Sequence, residues 1–161
     1  MTAGPAPPAK PVGASRVTLS YLTNPADANP LGSVHGGVIL RLVDEAGAVA
    51  ATRHARRPAV TVAMDSMTFR SPVPIGSLVI FKASVNYVGT TSIEVGVRVE
   101  TEDLLTGEIR HTATAYLVYV ALDPAGKPCQ VPRLLPETDE DARRMAAAQA
   151  RMAARLRQRK A

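Results

Sequence analysis

The sequence predicts an α+β domain in which a long antiparallel sheet wraps one buried helix. Three observations carry this. Residues 38–51, VILRLVDEAGAVAA, are apolar nearly all round at helical length, which fits burial on several sides. Residues 79–87 and 93–100 alternate strictly: Val79, Phe81, Ala83, Val85 and Tyr87 against Ile80, Lys82, Ser84 and Asn86, then Ile93, Val95, Val97 and Val99 against Glu94, Gly96, Arg98 and Glu100. That period belongs to strands with one buried face. Short turn segments at 72–76, 89–90 and 103–107 then join the β-rich stretches, as hairpin connections do.

Taken in order, residues 1–14 are rich in Pro, Ala and Gly and read as a flexible arm. They lack the apolar run of a secretory signal. Residues 16–22, RVTLSYL, read as a short strand, and TNPADANPLG after them as a loop. The helix starts near His35-Gly36-Gly37, with Ser33 as its candidate N-cap, and runs to Thr52 or His54. Pro58 in ARRP ends it, because proline disfavours helix at the residue before it. Residues 59–70 and 109–122 are the remaining long strands. The last segment, TDEDARRMAAAQARMAARLRQRKA, is a helix by propensity, with acids in its first turn and bases in its last. Its apolar stripe of Met145, Met152 and Leu156 is thin, which favours a solvated or partner-packed appendage over a helix packed on its own body.

Composition sets outer limits. The chain has 161 residues, 46% hydrophobic and 20% charged, which is one globular domain with a real core. Its net charge is +5, and residues 137–161, with seven bases against four acids, supply +3 of it. The body is near neutral and the tail has no aromatics for stacking, so the basic balance does not point to nucleic acid. A single cysteine, Cys129, forms no intrachain disulfide and has no base near it in sequence, which points to a reducing, cytoplasmic setting and away from a thiol nucleophile. No apolar run reaches the length of a membrane span. His54 and His111 have no partner at metal-ligand spacing, so no metal and no resident cofactor are expected.

One stretch carries the chemistry. NPLGSVHGGVILRLVDEAGAVAATRH, followed by MTFRSPVPIG and by VNYVGTTSIEVGVRVETEDLLTGEIRHTATAYLVYVALD, resembles the hotdog-fold acyl-CoA thioester hydrolases, in particular the cytosolic long-chain and brain-type acyl-CoA hydrolases and their single-domain bacterial relatives. The resemblance covers residues 16–123 and leaves out both tails. It implies a hotdog fold over 15–123, dimers whose sheets join, trimers of such dimers, and hydrolysis of fatty acyl-CoA to fatty acid and CoA. It implies an acid on the central helix, here Asp44, and thioester polarisation at the helix start, here Gly36-Gly37. Vertebrate relatives carry an Asn directly before V-H-G-G in one of two fused domains, where it works with the acid of the other, and this chain has Ser33 there, with Asn29 further upstream.

The residues admit these roles beside plainer ones. Asp44 can activate water, or simply pair with Arg41 at i, i+3. Glu45 pairs better with Arg41 at i, i+4 and reads as structural. Gly36 and Gly37 offer N–H groups to an oxyanion, or form only a tight turn into the helix. His35 beside them is a candidate for lining the site. Gly37 and Asp44, seven residues apart on one helix, are about 10 Å apart along its axis, so one thioester carbon reaches both only if they come from two subunits. For CoA, Arg70-Ser71 and Gly89-Thr90-Thr91-Ser92 are candidate partners, or ordinary solvated turns. Arg56 and Arg57 are further candidates. The expected partners are acyl-CoA and further copies of the chain, with no membrane and no nucleic acid. The rival reading is an acyl-CoA-binding hotdog protein that does no chemistry.

Overall fold

The computed structural model describes residues 7–158. In chain order it has β1 (Lys10–Pro11), β2 (Val17–Leu22), α1 (Gly36–Ala55), β3 (Ala59–Phe69), β4 (Leu78–Val88), β5 (Ser92–Glu102), β6 (Ile109–Ala121), β7 (Leu134–Leu135) and α2 (Asp139–Gln158). Five strands form one antiparallel sheet in the order β2-β4-β5-β6-β3, so the first long strand after the helix crosses to the far edge. The alternation works as expected. Val79, Phe81, Ala83, Val85, Val95, Val97, Leu117 and Tyr119 point to one face and are buried against α1.

The helix embedded in that face presents Ile39, Val43, Ala46, Gly47, Ala50 and Ala51, all buried. Small residues in the second half let the sheet come close. The N-cap is not Ser33 but His35, whose Nδ1 accepts the Gly37 N–H at 2.9 Å. Ser33 sits two residues too early because Gly36, not the residue after Ser33, is the first helical position. At the other end Arg56 adopts the left-handed conformation, φ 53°, and its N–H closes on the Thr52 carbonyl.

Both tails are more tied down than their compositions suggest. Residues 1–6 of the expected arm lie outside the described residues. From Lys10 onward the arm is ordered: β1 pairs with β7 in parallel, Lys10 Nζ donates to the His54 carbonyl at 2.7 Å, and Val12 is buried.

The C-terminal helix is not an appendage. It lies across the outer face of the sheet, opposite α1, and is held there mainly by ions. Arg16 meets Asp141 at 2.5 Å beside β2, Arg151 meets Glu94 of β5 at 2.7 Å, and Arg155 pairs with Asp65 of β3. Arg151 also stacks on the Tyr116 ring, 3.8 Å from its centroid. Met145 and Ala148 add apolar contact at mid-helix. The thin Met stripe was therefore a poor guide, since the buried face of α2 is built from ion pairs.

Glu94 is completely buried, and burial lifts its pKa above the ordinary glutamate value despite the Arg151 and Arg155 guanidinium groups beside it. Removing Arg151 leaves that charge poorly compensated. Arg151→Met should lower unfolding free energy at pH 7 by the low end of about 3–5 kcal/mol, since Arg155 remains. A folded-state pKa above the unfolded one makes the penalty full above the folded pKa and absent below the unfolded one. The deficit of the variant should therefore shrink as pH falls toward 4, read by urea titration at several pH values. A deficit independent of pH would mean that the loss is packing, not charge.

Candidate active site

Two places on α1 gather polar groups, one at its middle and one at its start. At the middle, Asp44 is half-buried and its Oδ1 accepts two hydroxyls: Thr61 Oγ1 of β3 at 2.7 Å and the Tyr119 phenol of β6 at 3.1 Å. Thr61 and Tyr119 face each other across the β3–β6 ladder, so both hydroxyls project to the same side. A register shift follows between Thr61 and Ala63, a bulge that bends β3 just beyond the contact. Asp44 makes no ion pair with Arg41. That cation goes to Glu45, at 2.7 Å, which leaves Glu45 a surface role.

The Tyr119 phenol also donates to the Asp44 backbone carbonyl at 3.1 Å, which brings it against the helix backbone itself. It fits only because Gly47 has no side chain: a Cβ there would overlap the Tyr119 hydroxyl. Burial, with the Asp44 carboxylate second, pushes the Tyr119 phenol far above its usual pKa, so it stays a donor across the neutral range. Both hydroxyl bonds fall on Oδ1, and among the described residues none falls on Oδ2.

At the helix start, a cavity of about 370 Å³ is lined by Asn29, Ser33, Gly36, Ile39, Phe69, Arg70 and Ser71 among others. The 24–35 loop folds back to build it. Ala28 bridges Val34, and the Asn29 N–H donates to the Ser33 carbonyl at 2.7 Å. The Asn29 side chain spends its carbonyl on the Leu31 and Ser33 N–H groups and one amide hydrogen on Ser33 Oγ at 3.0 Å. One amide N–H remains over. Asn29 and Ser33 thus occupy one place together, which their spacing in sequence concealed.

The expected residues divide. Gly36, Ser33, Arg70 and Ser71 meet in this cavity. Gly37 and His35 do not line it, and the Gly37 N–H is taken by the His35 cap. The 89–92 turn lies elsewhere: Ile93 pairs with Tyr119, which places Gly89, Thr90, Thr91 and Ser92 at the Asp44 end of the sheet. Arg70 lies toward the other end, its N–H on the Thr112 carbonyl. Among the described residues no three His, Cys, Asp or Glu gather in a metal-binding arrangement. Thr61 and Tyr119, which hold the Asp44 carboxylate, were not among the expected site residues, because each reaches it only through the strand that carries it to α1.

A buried helix wrapped by one antiparallel sheet, with an acid at mid-helix held by strand hydroxyls, defines a class, that of the hotdog thioesterases. Comparison with known proteins narrows it. The thioesterase superfamily model matches residues 31–108. YkhA of Bacillus subtilis, named as an uncharacterized acyl-CoA thioester hydrolase, is 41% identical over 127 residues, 79% of this chain and 74% of its own. A hexameric acyl-CoA thioesterase solved in its apo form superposes with a TM-score of 0.91 at 38% identity, covering 94% of this chain and 97% of that one. The acyl-CoA hydrolase of Staphylococcus aureus, solved with butyryl-CoA, CoA and CoA disulfide, gives 0.89 at 33% identity over 94% of this chain and 93% of its own. Variants of the latter with an Asp, an Asn or a Thr changed to Ala have also been solved. The chain belongs to the acyl-CoA thioester hydrolases.

The Gly47 contact has a measurable consequence. Gly47→Ala improves helix propensity by about 1 kcal/mol, yet the added methyl must displace the Tyr119 phenol from the helix. Overpacking of a tight core position costs about 1–3 kcal/mol, so net destabilisation is expected in a denaturant titration, together with a lower turnover as Asp44 loses its second hydroxyl. A variant as stable and as active as the parent would show that the phenol contact is dispensable.

Proposed function

We propose that this protein hydrolyses fatty acyl-CoA to a free fatty acid and CoA, at sites each shared by two copies of the chain. Asp44 of one subunit takes a proton from the attacking water through Oδ2, while Thr61 and Tyr119 hold Oδ1. The thioester carbonyl of the substrate lies at the helix start of the other subunit. There the Gly36 N–H and the spare Asn29 amide N–H meet the charge that develops on oxygen. Arg70 and Ser71 beside that cavity, and the 89–92 turn brought up from the Asp44 end, contact the CoA portion. The setting is cytoplasmic, a reading supported by the single half-buried cysteine.

The observation that carries this reading is spatial. Gly36 and Asp44 are eight residues apart on one helix, about 12 Å along its axis, and a carbonyl held at one cannot be attacked from the other. Two antiparallel helices related by a two-fold axis bring the start of each to the middle of its neighbour. The edge that would join the sheets is open. β3 pairs only with β6, and along it Val60 is 44%, Val62 55% and Phe69 45% exposed.

Asp44→Asn keeps the two hydroxyl partners but removes the base. Thiol release from acyl-CoA, without added metal, should fall by about 10² to 10⁴ with Tm little changed. Turnover near that of the parent would make Asp44 structural. Failure of the parent to turn over acyl-CoA of any chain length while still binding CoA would favour the binding-only reading.

The shared site is tested by mixing two inactive variants, Asp44→Asn and Gly36→Val. A Cβ at Gly36 meets Phe69 only at ordinary contact distance, so the second variant should fold. After free exchange, half the dimers are mixed and each has one intact site, so about a quarter of the parent activity should return. Exchange proven by mass with no activity regained would mean that each chain carries a complete site.

A further inference from the structure

The cavity between α2 and the outer face of the sheet has no part in the chemistry above. It holds about 460 Å³, and the sheet stands between it and Asp44. Its α2 wall is one helix face, with Glu140, Arg144, Ala147 and Arg151 at spacings of four, three and four. Its floor is the outward side of β4, β5 and β6, where Gly96 leaves the sheet bare and the Asn86 amide lies close over it.

Charge on this cavity does not balance. Arg16 uses Asp141, Lys82 and Arg98 share Glu100, Arg143 and Arg144 share Glu140, and Arg151 uses Glu94. Six cations on the cavity wall therefore answer to four carboxylates, an excess of two positive charges. On the floor, Ser84 is 8% exposed, and its hydroxyl has no hydrogen-bond partner among the described residues. A buried hydroxyl left unpaired costs free energy unless something fills the place. Two uncompensated charges above an orphaned donor match a dianion with several oxygen acceptors.

We propose that this cavity binds a small phosphate-bearing anion, a phosphomonoester or a diphosphate, which accepts a hydrogen bond from Ser84 and is clamped between Arg98 of the sheet and Arg144 of α2. Among the described residues that line the cavity the one aromatic face, Tyr116, is already covered by Arg151. A planar base gains no stacking there, so the phosphate supplies the recognition. Bound, the anion joins α2 to β4 and β5 and adds to the stability of the folded chain.

The probe is inorganic pyrophosphate, titrated into the full-length protein by calorimetry at low ionic strength, with Tm followed in parallel. Saturable binding and a rise in Tm are expected. Arg98→Gln and Arg144→Gln should each weaken binding about tenfold or more, whereas Arg57→Gln, a cation outside the cavity, should not. Ser84→Ala separates binding from folding: it should raise the Tm of the free protein, because the orphaned hydroxyl is gone, yet weaken pyrophosphate binding several-fold and leave thiol release unchanged. The proposal fails if sulfate at equal ionic strength matches pyrophosphate, which would be screening, or if Arg98→Gln and Arg144→Gln bind as the parent does. It also fails if saturating CoA removes pyrophosphate binding, which would place the anion in the thioesterase site. A parent that gives neither heat nor a shift in Tm overturns it outright. Apart from the thiol-release control, none of these outcomes depends on whether acyl-CoA is hydrolysed.

Discussion

The close approach of Tyr119 to α1 is the contact on which the site depends. A strand cannot ordinarily lay a phenol against the backbone of a packed helix, because the helix side chains hold it off. At Gly47 there is none, so the hydroxyl reaches both the Asp44 carbonyl and its carboxylate. That one gap fixes the rotation of α1 relative to β6. The rotation in turn fixes which way Asp44 looks, and it is why Thr61, paired with Tyr119, reaches the same oxygen. Two hydroxyls orient the acid through Oδ1 and leave Oδ2 without a partner among the described residues, while Arg41 is engaged by Glu45.

A second constraint is length. An α-helix rises about 1.5 Å per residue, and no adjustment of side chains brings Gly36 to Asp44 within one chain. The sheet reflects the same division. Its last strand, β3, is both the carrier of Thr61 and an edge with unpaired backbone and exposed valines. The hydroxyl that holds Asp44 and the open edge of the sheet thus lie on a single strand, so a change that disturbs one is felt by the other.

Much of this was legible in the sequence. Strict alternation over 79–87 and 93–100 sufficed for the strands and for the face each buries, and apolar residues all round α1 sufficed for its burial. The VDEAG segment marked the acid through its resemblance to the family, since spacing alone left Asp44 free to pair with Arg41 at i, i+3. Other parts were not legible, for physical reasons. Asn29 and Ser33 are joined by a loop whose fold is set by hydrogen bonds, not by periodicity. The cap fell to His35 because a side-chain nitrogen two residues before an N–H serves as well as a hydroxyl. The packing of α2 was hidden because pattern reading seeks apolar stripes, and this helix is seated by Arg151, Arg155 and Asp141.

The ionic seat of α2 bears on the order in which the molecule assembles. Its partners lie far back in the chain, 125 residues for Arg16, 90 for Asp65 and 57 for Glu94. None of these exists in the right place until β2, β5 and β3 are together, so α2 cannot nucleate folding and docks on a finished sheet. The same logic runs backward. A helix held by charges at three points and by little apolar surface opens before the strands beneath it do, as a unit of low local stability. Its amides should exchange with solvent at a rate that rises with salt, while those of β4 and β5 stay protected.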